Sequence, residues 1–373
     1  MKHKKLYSLL ALLTMFALVL SACGANNNVE PTDVVPEETE PPVVEPEPTE
    51  PPEEPEPEIG SMEHPIKVLF VPSVNVDFMI ANIDPIAQAL SDATGLYFEA
   101  SVPTSYAATL EEMCASPTDT IGFIPAMGYA LANALCGVTP GLASVRYGWN
   151  VYWAQFIVRR DSGIETLEDL DGLTWGFGET ISTSGYLFPN AMFNDMGITP
   201  SDQVETGGHT EPVRAVYLGE VDFGTTYFSA PQLPGHPDVV WAVGDPPDVP
   251  DEVVEECGLT DEGKLYCGEY RVLDARASIR EELPDVVQVV KIIGLSPDIP
   301  NDTMSFSPEF PVELKQLIMD AMVAYVNSEA CLETFCTENF YDWTDAAPIF
   351  DESFDLIRAM MEQQGITLEN IGE

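Results

Sequence analysis

The chain has 373 residues, 62 of them acidic and 15 basic, for a formal net charge of −47. That balance excludes nucleic acid as a partner, since phosphate neutralisation needs a basic face, and it disfavours anionic lipid headgroups. It also repels an anionic guest at long range, so capture of one must depend on local donors rather than on steering.

In chain order, Lys2, Lys4 and Lys5 precede an apolar run from about Leu6 to Leu20, and then comes Leu20-Ser21-Ala22-Cys23. A basic leader, a short apolar segment and small residues predict a secretory signal over 1–22. The Leu-Ser-Ala-Cys ending resembles a bacterial lipobox, which implies a lipid on Cys23. Such a lipid anchors the chain to a membrane face, at the cell surface or in the periplasm, without spanning it. The alternative is a plain secretory signal with Cys23 in a disulfide. Residues 30–58 hold ten prolines and twelve acids, with no basic residue and no aromatic. Such a stretch cannot bury enough apolar surface to order itself, so 23–62 reads as an extended tether.

From Pro65 the composition is that of a globular chain, and about three hundred residues predict two lobes. Residues 66–71 form an apolar run fit for a buried strand. Asp84-Pro85 then reads as N-cap and N1 of a helix ending at Gly95. Residues 97–102 predict a second strand, Thr104 or Ser105 caps a helix through Met113, and 120–124 predict a third strand. Residues 152–158 make another strong strand, followed by 162–171 and a short strand over 173–177. Strands alternating with helices of about ten residues argue for an α/β fold with largely parallel sheets.

After that short strand comes Thr180-Ile181-Ser182-Thr183-Ser184-Gly185-Tyr186-Leu187-Phe188-Pro189. Apolar residues at 187, 188, 191, 192 and 196 recur with helical spacing, Pro189 falls near the first turn, and Gly197 suits a C′ position. The hydroxyls of Ser182, Thr183 and Ser184 therefore stand at a helix N-terminus, beside free amides and the positive end of the peptide dipoles. That makes an anion seat of neutral donors, or more plainly an N-cap with two spare hydroxyls. Val204–Thr226 repeats the pattern in sequence: Thr210-Glu211-Pro212 opens a helix ending at Gly219, His209 precedes it, and a strand begins near Val221. Residues 231–268 are loop-rich, 285–295 read as a returning strand, and 311–326 and 353–364 read as amphipathic helices.

Setting Cys23 aside leaves six cysteines, which favours disulfides in an exported chain. Fifteen pairings are possible, and the sequence-local set Cys114–Cys136, Cys257–Cys267 and Cys331–Cys336 is preferred. There is no C-x-x-C, and among the histidines only His209 lies near a plausible site, so neither a metal nor another cofactor is expected.

Ser182-Thr183-Ser184-Gly185-Tyr186-Leu187-Phe188-Pro189, Gly208-His209 and Ala215-Val216-Tyr217-Leu218-Gly219-Glu220-Val221-Asp222-Phe223-Gly224 resemble the phosphate/phosphite/phosphonate-binding proteins of ABC importers. The segment 163–172 and Ser296-Pro297-Asp298-Ile299-Pro300-Asn301-Asp302 are similar to the family's upstream stretch and return crossing. The resemblance implies a two-lobed, type II periplasmic-binding-protein-like fold, with lobe 1 over 63–155 plus 297–373 and lobe 2 over 156–296. It implies a cleft that closes on a phosphorus oxyanion, held by Ser182, Thr183, Ser184 and His209, with Tyr106 and Tyr152 closing over it. Asp302 matches an acid that in aminophosphonate binders meets the ligand's amine. The second such acid is missing, with Ser229 near its place, and 231–269 have no clear counterpart. The implied partner is an ABC permease, served by a monomer without chemistry of its own. A sensor subunit of the same fold is the first alternative, and a hydrolase using Ser184 and His209 the second. Against the hydrolase, neither a G-x-S-x-G elbow nor a Walker A loop is present. Tyr129 reads as a core aromatic, Arg214 as a surface ion pair, Asp222 as a strand-end residue, and Trp149 and Trp153 as packing at the lobe junction.

Overall fold

The computed structural model describes residues 57–367, apart from 237 and 338. The expected signal, the Cys23 lipidation site and the tether up to 56 lie outside the described residues. The globular part begins before the expected end of the tether: Gly60 is buried, and its carbonyl accepts from the Tyr97 N–H at 2.9 Å.

The first strand, β1 (Ile66–Phe70), forms where the apolar run predicts it. Helix α1 (Val76–Asn82), absent from the sequence reading, is capped by Asn75, whose side chain accepts from the Phe78 N–H. Helix α2 (Asp84–Thr94) carries Pro85 in its first turn and ends at Gly95 in the left-handed conformation. Strand β2 (Phe98–Ser101) precedes α3 (Tyr106–Ala115), whose cap is Ser105 rather than Thr104, and β3 (Thr120–Ile124) follows. Next come α4 (Ala126–Cys136), β4 (Thr139–Val145) and β5 (Val151–Arg159). The expected lobe boundary at 155/156 therefore falls inside a strand. Strand β6 (Thr174–Phe177) leads through a wide π turn over Thr183–Leu187 into α5 (Phe188–Met196). Strand β7 (Asp202–Glu205), α6 (Thr210–Leu218) and β8 (Phe223–Phe228) complete this half.

The loop-rich stretch builds a small antiparallel sheet of β9 (Cys257–Leu259), β10 (Leu265–Cys267) and β11 (Tyr270–Arg271). The returning strand expected over 285–295 is half helical: α7 (Val286–Val289) is a single turn, and β12 (Val290–Leu295) follows. A continuous Val/Ile run cannot distinguish the two by periodicity alone. Strands β13 (Ile299–Pro300) and β14 (Thr303–Phe306) precede α8 (Val312–Val326), and β15 (Asp345–Pro348) precedes α9 (Asp355–Gln363).

The first large sheet has the order β15-β4-β14-β3-β1-β2, and the second β12-β5-β8-β6-β7 with β13 added to β5. In each, three parallel strands (β2, β1 and β3, or β7, β6 and β8) are extended by antiparallel neighbours. One apolar cluster covers one face of the first sheet, with Phe70 stacked on Phe123 at 4.8 Å and α2 and α8 packed above. The cluster on the other face joins Leu69, Tyr106 and Met127 to Ile181, Leu187 and Phe188, so the two halves share apolar packing. Disulfides join Cys114 to Cys136, Cys257 to Cys267 and Cys331 to Cys336, the sequence-local set. The first of them ties α3 to α4. Among the described residues no helix is long and apolar enough to cross a membrane.

Candidate functional site

Parallel strands deliver their C-terminal ends, and the helix N-termini that follow them, to one edge of a sheet. Here both large sheets present that edge to a common cavity, which leaves about 60 Å³ for the centres of water-sized atoms. The first sheet's half contributes Ser73 beyond β1, Tyr106 at the start of α3, Pro125 before α4, Arg146 beyond β4, Asp302 before β14, and Tyr341 and Asp342 before β15. The second contributes Tyr152 on β5, Ser182 at the π turn, His209 before α6, and Tyr227 and Ser229 at the end of β8.

The hydroxyl stretch folds as its residues require. Ser182 Oγ accepts from the Gly185 N–H at 3.0 Å, and the Leu187 N–H reaches back to the Ser182 carbonyl at 3.1 Å. The amides that open such a turn have no partner within it. Thr183 Oγ1 accepts from the Met127 N–H at 2.8 Å, bringing the start of α4 against the start of the turn. Ser184 Oγ is buried and makes no hydrogen bond of good geometry among the described residues, with the Tyr152 phenol as its polar neighbour. Ser182 faces the cavity directly, whereas Thr183 and Ser184 are buried behind its wall.

Hydrogen bonds among the described residues link the halves around the cavity. Besides Met127 to Thr183, the Tyr106 N–H donates to Glu179 Oε2 at 3.0 Å, and the His209 N–H donates to the Ser73 carbonyl at 3.0 Å. Within the second half a Cβ on Gly178 would lie 2.1 Å from the Gly208 carbonyl oxygen. Between the halves a Cβ on Gly208, whose φ is +53°, would lie 3.3 Å from the Ser73 carbonyl oxygen.

His209 is buried, its Nδ1 is 2.9 Å from Thr226 Oγ1, and its ring meets Tyr227 edge-on. Burial lowers its pKa to about 4; Asp302 pulls the other way, and Arg146 adds to the lowering. At neutral pH the imidazole is thus an uncharged group with one N–H. Burial raises the Tyr152 phenol well above its ordinary value, Asp302 adds to this, and the Ser184 and Thr183 hydroxyls act in the opposite sense. Tyr106 is likewise raised, by burial and then by Glu179.

Asp302, which lines the cavity, pairs through its Oδ2 with Arg146 Nη2 at 2.8 Å. Burial works against the Arg146 charge, but Asp302 outweighs it and holds the guanidinium above its ordinary pKa. This pair joins the two segments that cross between the sheets, and Asn301 Nδ2 donates to the Ser144 and Trp149 carbonyls beside it. Asp342 is pushed up to about 6 by burial, against a hydrogen bond from the Tyr147 hydroxyl at 2.8 Å and the pull of Arg146, Arg271 and Arg280. Tyr147 and Asp342 are the non-glycine residues with positive φ among the described residues.

Sequence reasoning named Tyr106, Tyr152, Ser182, His209 and Asp302, and all five line the cavity. It missed Arg146, Tyr227, Tyr341 and Asp342. Arg146, one of only 15 basic residues, carried a signal in its rarity; the others come from loops whose approach is decided by chain return. Ser229 does line the cavity. Tyr129 is buried with its hydroxyl on Asp351, Arg214 pairs with Glu211 and Glu282, and Asp222 accepts from the Thr174 N–H. Trp149 and Trp153 pack with Trp241 of the insertion in the second half. Ser184 and His209 are not hydrogen-bonded to one another, and the His209 Nδ1 partner is a hydroxyl rather than a carboxylate. No group of three or more His, Cys, Asp or Glu that could hold a metal ion occurs among the described residues.

Two mixed sheets flanked by helices, meeting at their strand ends over a shared cavity, make a type II periplasmic-binding-protein fold. The chain belongs to the family described as ABC transporter, phosphonate, periplasmic substrate-binding protein, whose model matches residues 68–347. It is 27% identical over 176 residues to the phosphate-import protein PhnD of Mycolicibacterium smegmatis, covering 43% of this chain and 54% of that one. The match thus spans about half the length of that curated relative. Among solved structures, a binding protein component of an ABC phosphonate transporter from Pseudomonas aeruginosa superposes with a TM-score of 0.61. It is 18% identical, over 80% of this chain and 86% of that one. PhnD1 from Prochlorococcus marinus, in complex with methylphosphonate, gives a TM-score of 0.59 at 12% identity, over 81% and 98%.

Proposed function

We propose that this chain is a monomeric, extracytoplasmic binding lipoprotein, anchored through Cys23, that captures a phosphorus oxyanion between its two halves and delivers it to an ABC permease. One observation carries the reading above the others: residues of both sheets line a single small cavity, on one wall of which a capped hydroxyl turn meets an uncharged imidazole. A tetrahedral oxyanion needs several N–H and O–H donors there, and each charge-assisted bond contributes roughly 1.5–3 kcal/mol. The relatives that import phosphate or hold methylphosphonate support this guest class. The lobes are centred on the two large sheets, and the segments between β4 and β5 and between β12 and β14 serve as the hinge, clasped by Arg146 and Asp302. Calorimetric titration with phosphate, phosphite, methylphosphonate and 2-aminoethylphosphonate tests the proposal. Saturable, stoichiometric binding of at least one is expected; heatless titrations with all four would refute it.

A further inference from the structure

The wall that carries the hydroxyl turn and the imidazole is built on two adjacent residues of β8. Successive side chains of a strand point to opposite faces, and Thr225 and Thr226, both fully buried, use one face each. Thr225 Oγ1 donates to the Gly185 carbonyl at 2.5 Å and accepts from Trp175 Nε1 at 2.8 Å. The reason for the first bond is local: a helical carbonyl at 185 looks for the amide of residue 189, and Pro189 has none. On the other face, Thr226 Oγ1 lies 2.9 Å from His209 Nδ1 and 3.4 Å from the His209 carbonyl oxygen. Thr226 thus grips the histidine at both ring and backbone through Nδ1 and the carbonyl, and Nε2 is the nitrogen left for the cavity.

We propose that Thr225 and Thr226 are positioning residues of the oxyanion site, Thr225 holding the Ser182–Ser184 turn and Thr226 fixing the His209 ring in one tautomer with Nε2 toward the guest. The presence of that guest rests on the reading of the cavity given above. The charged and titratable groups acting on the ring are Asp302 and Arg146, with Tyr227 against its edge; they are joined to each other, and no carboxylate touches Nδ1.

The test compares wild type with T226V, T226S, T225V and T225S. It measures calorimetric affinity for phosphate and methylphosphonate, and ring-nitrogen NMR shifts of His209 against pH, assigned by difference from H209N. In ligand-free wild type one fixed tautomer is expected, with separate protonated and bare ring-nitrogen shifts. T226V should lose that signature and about tenfold in affinity, and T226S should restore both. T225V should lose about tenfold in affinity with the His209 signature intact, and T225S should recover it; if T225V does not fold, T225A replaces it. An imidazole averaged between its two tautomers in wild type, or valine variants that bind as wild type does, would overturn the proposal. Wild type that binds neither anion defeats the oxyanion reading instead, and the ring-nitrogen signature still decides the role of Thr226.

Discussion

Ser184 carries a buried hydroxyl that makes no well-formed hydrogen bond, although the Tyr152 phenol is beside it, and a poorly satisfied polar atom of this kind costs stability until something fills it. Ser184→Ala should therefore weaken oxyanion binding by about tenfold while leaving the thermal midpoint unchanged or slightly raised. An affinity equal to wild type in calorimetry would show that the hydroxyl is not kept for the guest. His209 makes an opposite bargain with pH. Its folded pKa of about 4 lies below the ordinary 6.5, so between those values the unfolded chain binds more protons and acidification costs stability. Asp342 and Glu179, each pushed up by burial to about 6, work the other way, because their burden is relieved as pH falls through that value. In wild type the two effects oppose each other. His209→Asn removes the loss, so its thermal midpoint should rise between pH 7 and pH 5 by more than that of wild type, as calorimetric scans would record. Parallel midpoint-against-pH curves would contradict the depressed imidazole.

Among the elements, the helix starts matter more than the helix bodies. Helix α3 opens against Glu179 of the other half, and α4 opens against Thr183, so closure supplies partners for amides that a helix leaves orphaned. Capping across a cleft stabilises the closed state selectively, and removing a cap costs about 1 kcal/mol. Glu179→Ala should lower oxyanion affinity several-fold by reducing the closed population. Small-angle scattering of the ligand-saturated variant at moderate ligand excess should show a more expanded average than wild type. Identical affinity and scattering would mark the contact as incidental. Most of these elements are readable from local signals: Ser105 caps α3, and Gly95, Gly197 and Gly219 end α2, α5 and α6 in the left-handed conformation. The π turn over Thr183–Leu187 is not readable, because its wide first turn is held by Thr225 and Met127 from distant parts of the chain. Nor is α7, where a buried Val/Ile run satisfies either conformation until packing chooses.

At the scale of the whole molecule the dominant quantity is a net charge of −47 on a chain proposed to bind an anion. The donors that hold such a guest are short-ranged, whereas the repulsion is not, so screening should help encounter rather than hinder it. The association rate for phosphate is expected to rise as NaCl goes from about 10 mM to about 0.3 M, in stopped-flow with a fluorescent readout. A rate that falls with salt would mean that a local positive field at the cleft mouth outweighs the global one. What the sequence by itself determined were the features with local causes: strands from apolar runs, helix ends from caps and glycines, the hydroxyl seat with its proline, and disulfides between near neighbours. Only the tertiary structure decided that Arg146 meets Asp302, that Asp342 enters the cavity, and that Thr225 and Thr226 stand behind the turn and the imidazole. Those contacts join residues from 17 to 195 positions apart, and 156 for Arg146 with Asp302. Such partners are chosen by how two sheets fold back on one another, and no periodicity within either segment records that choice.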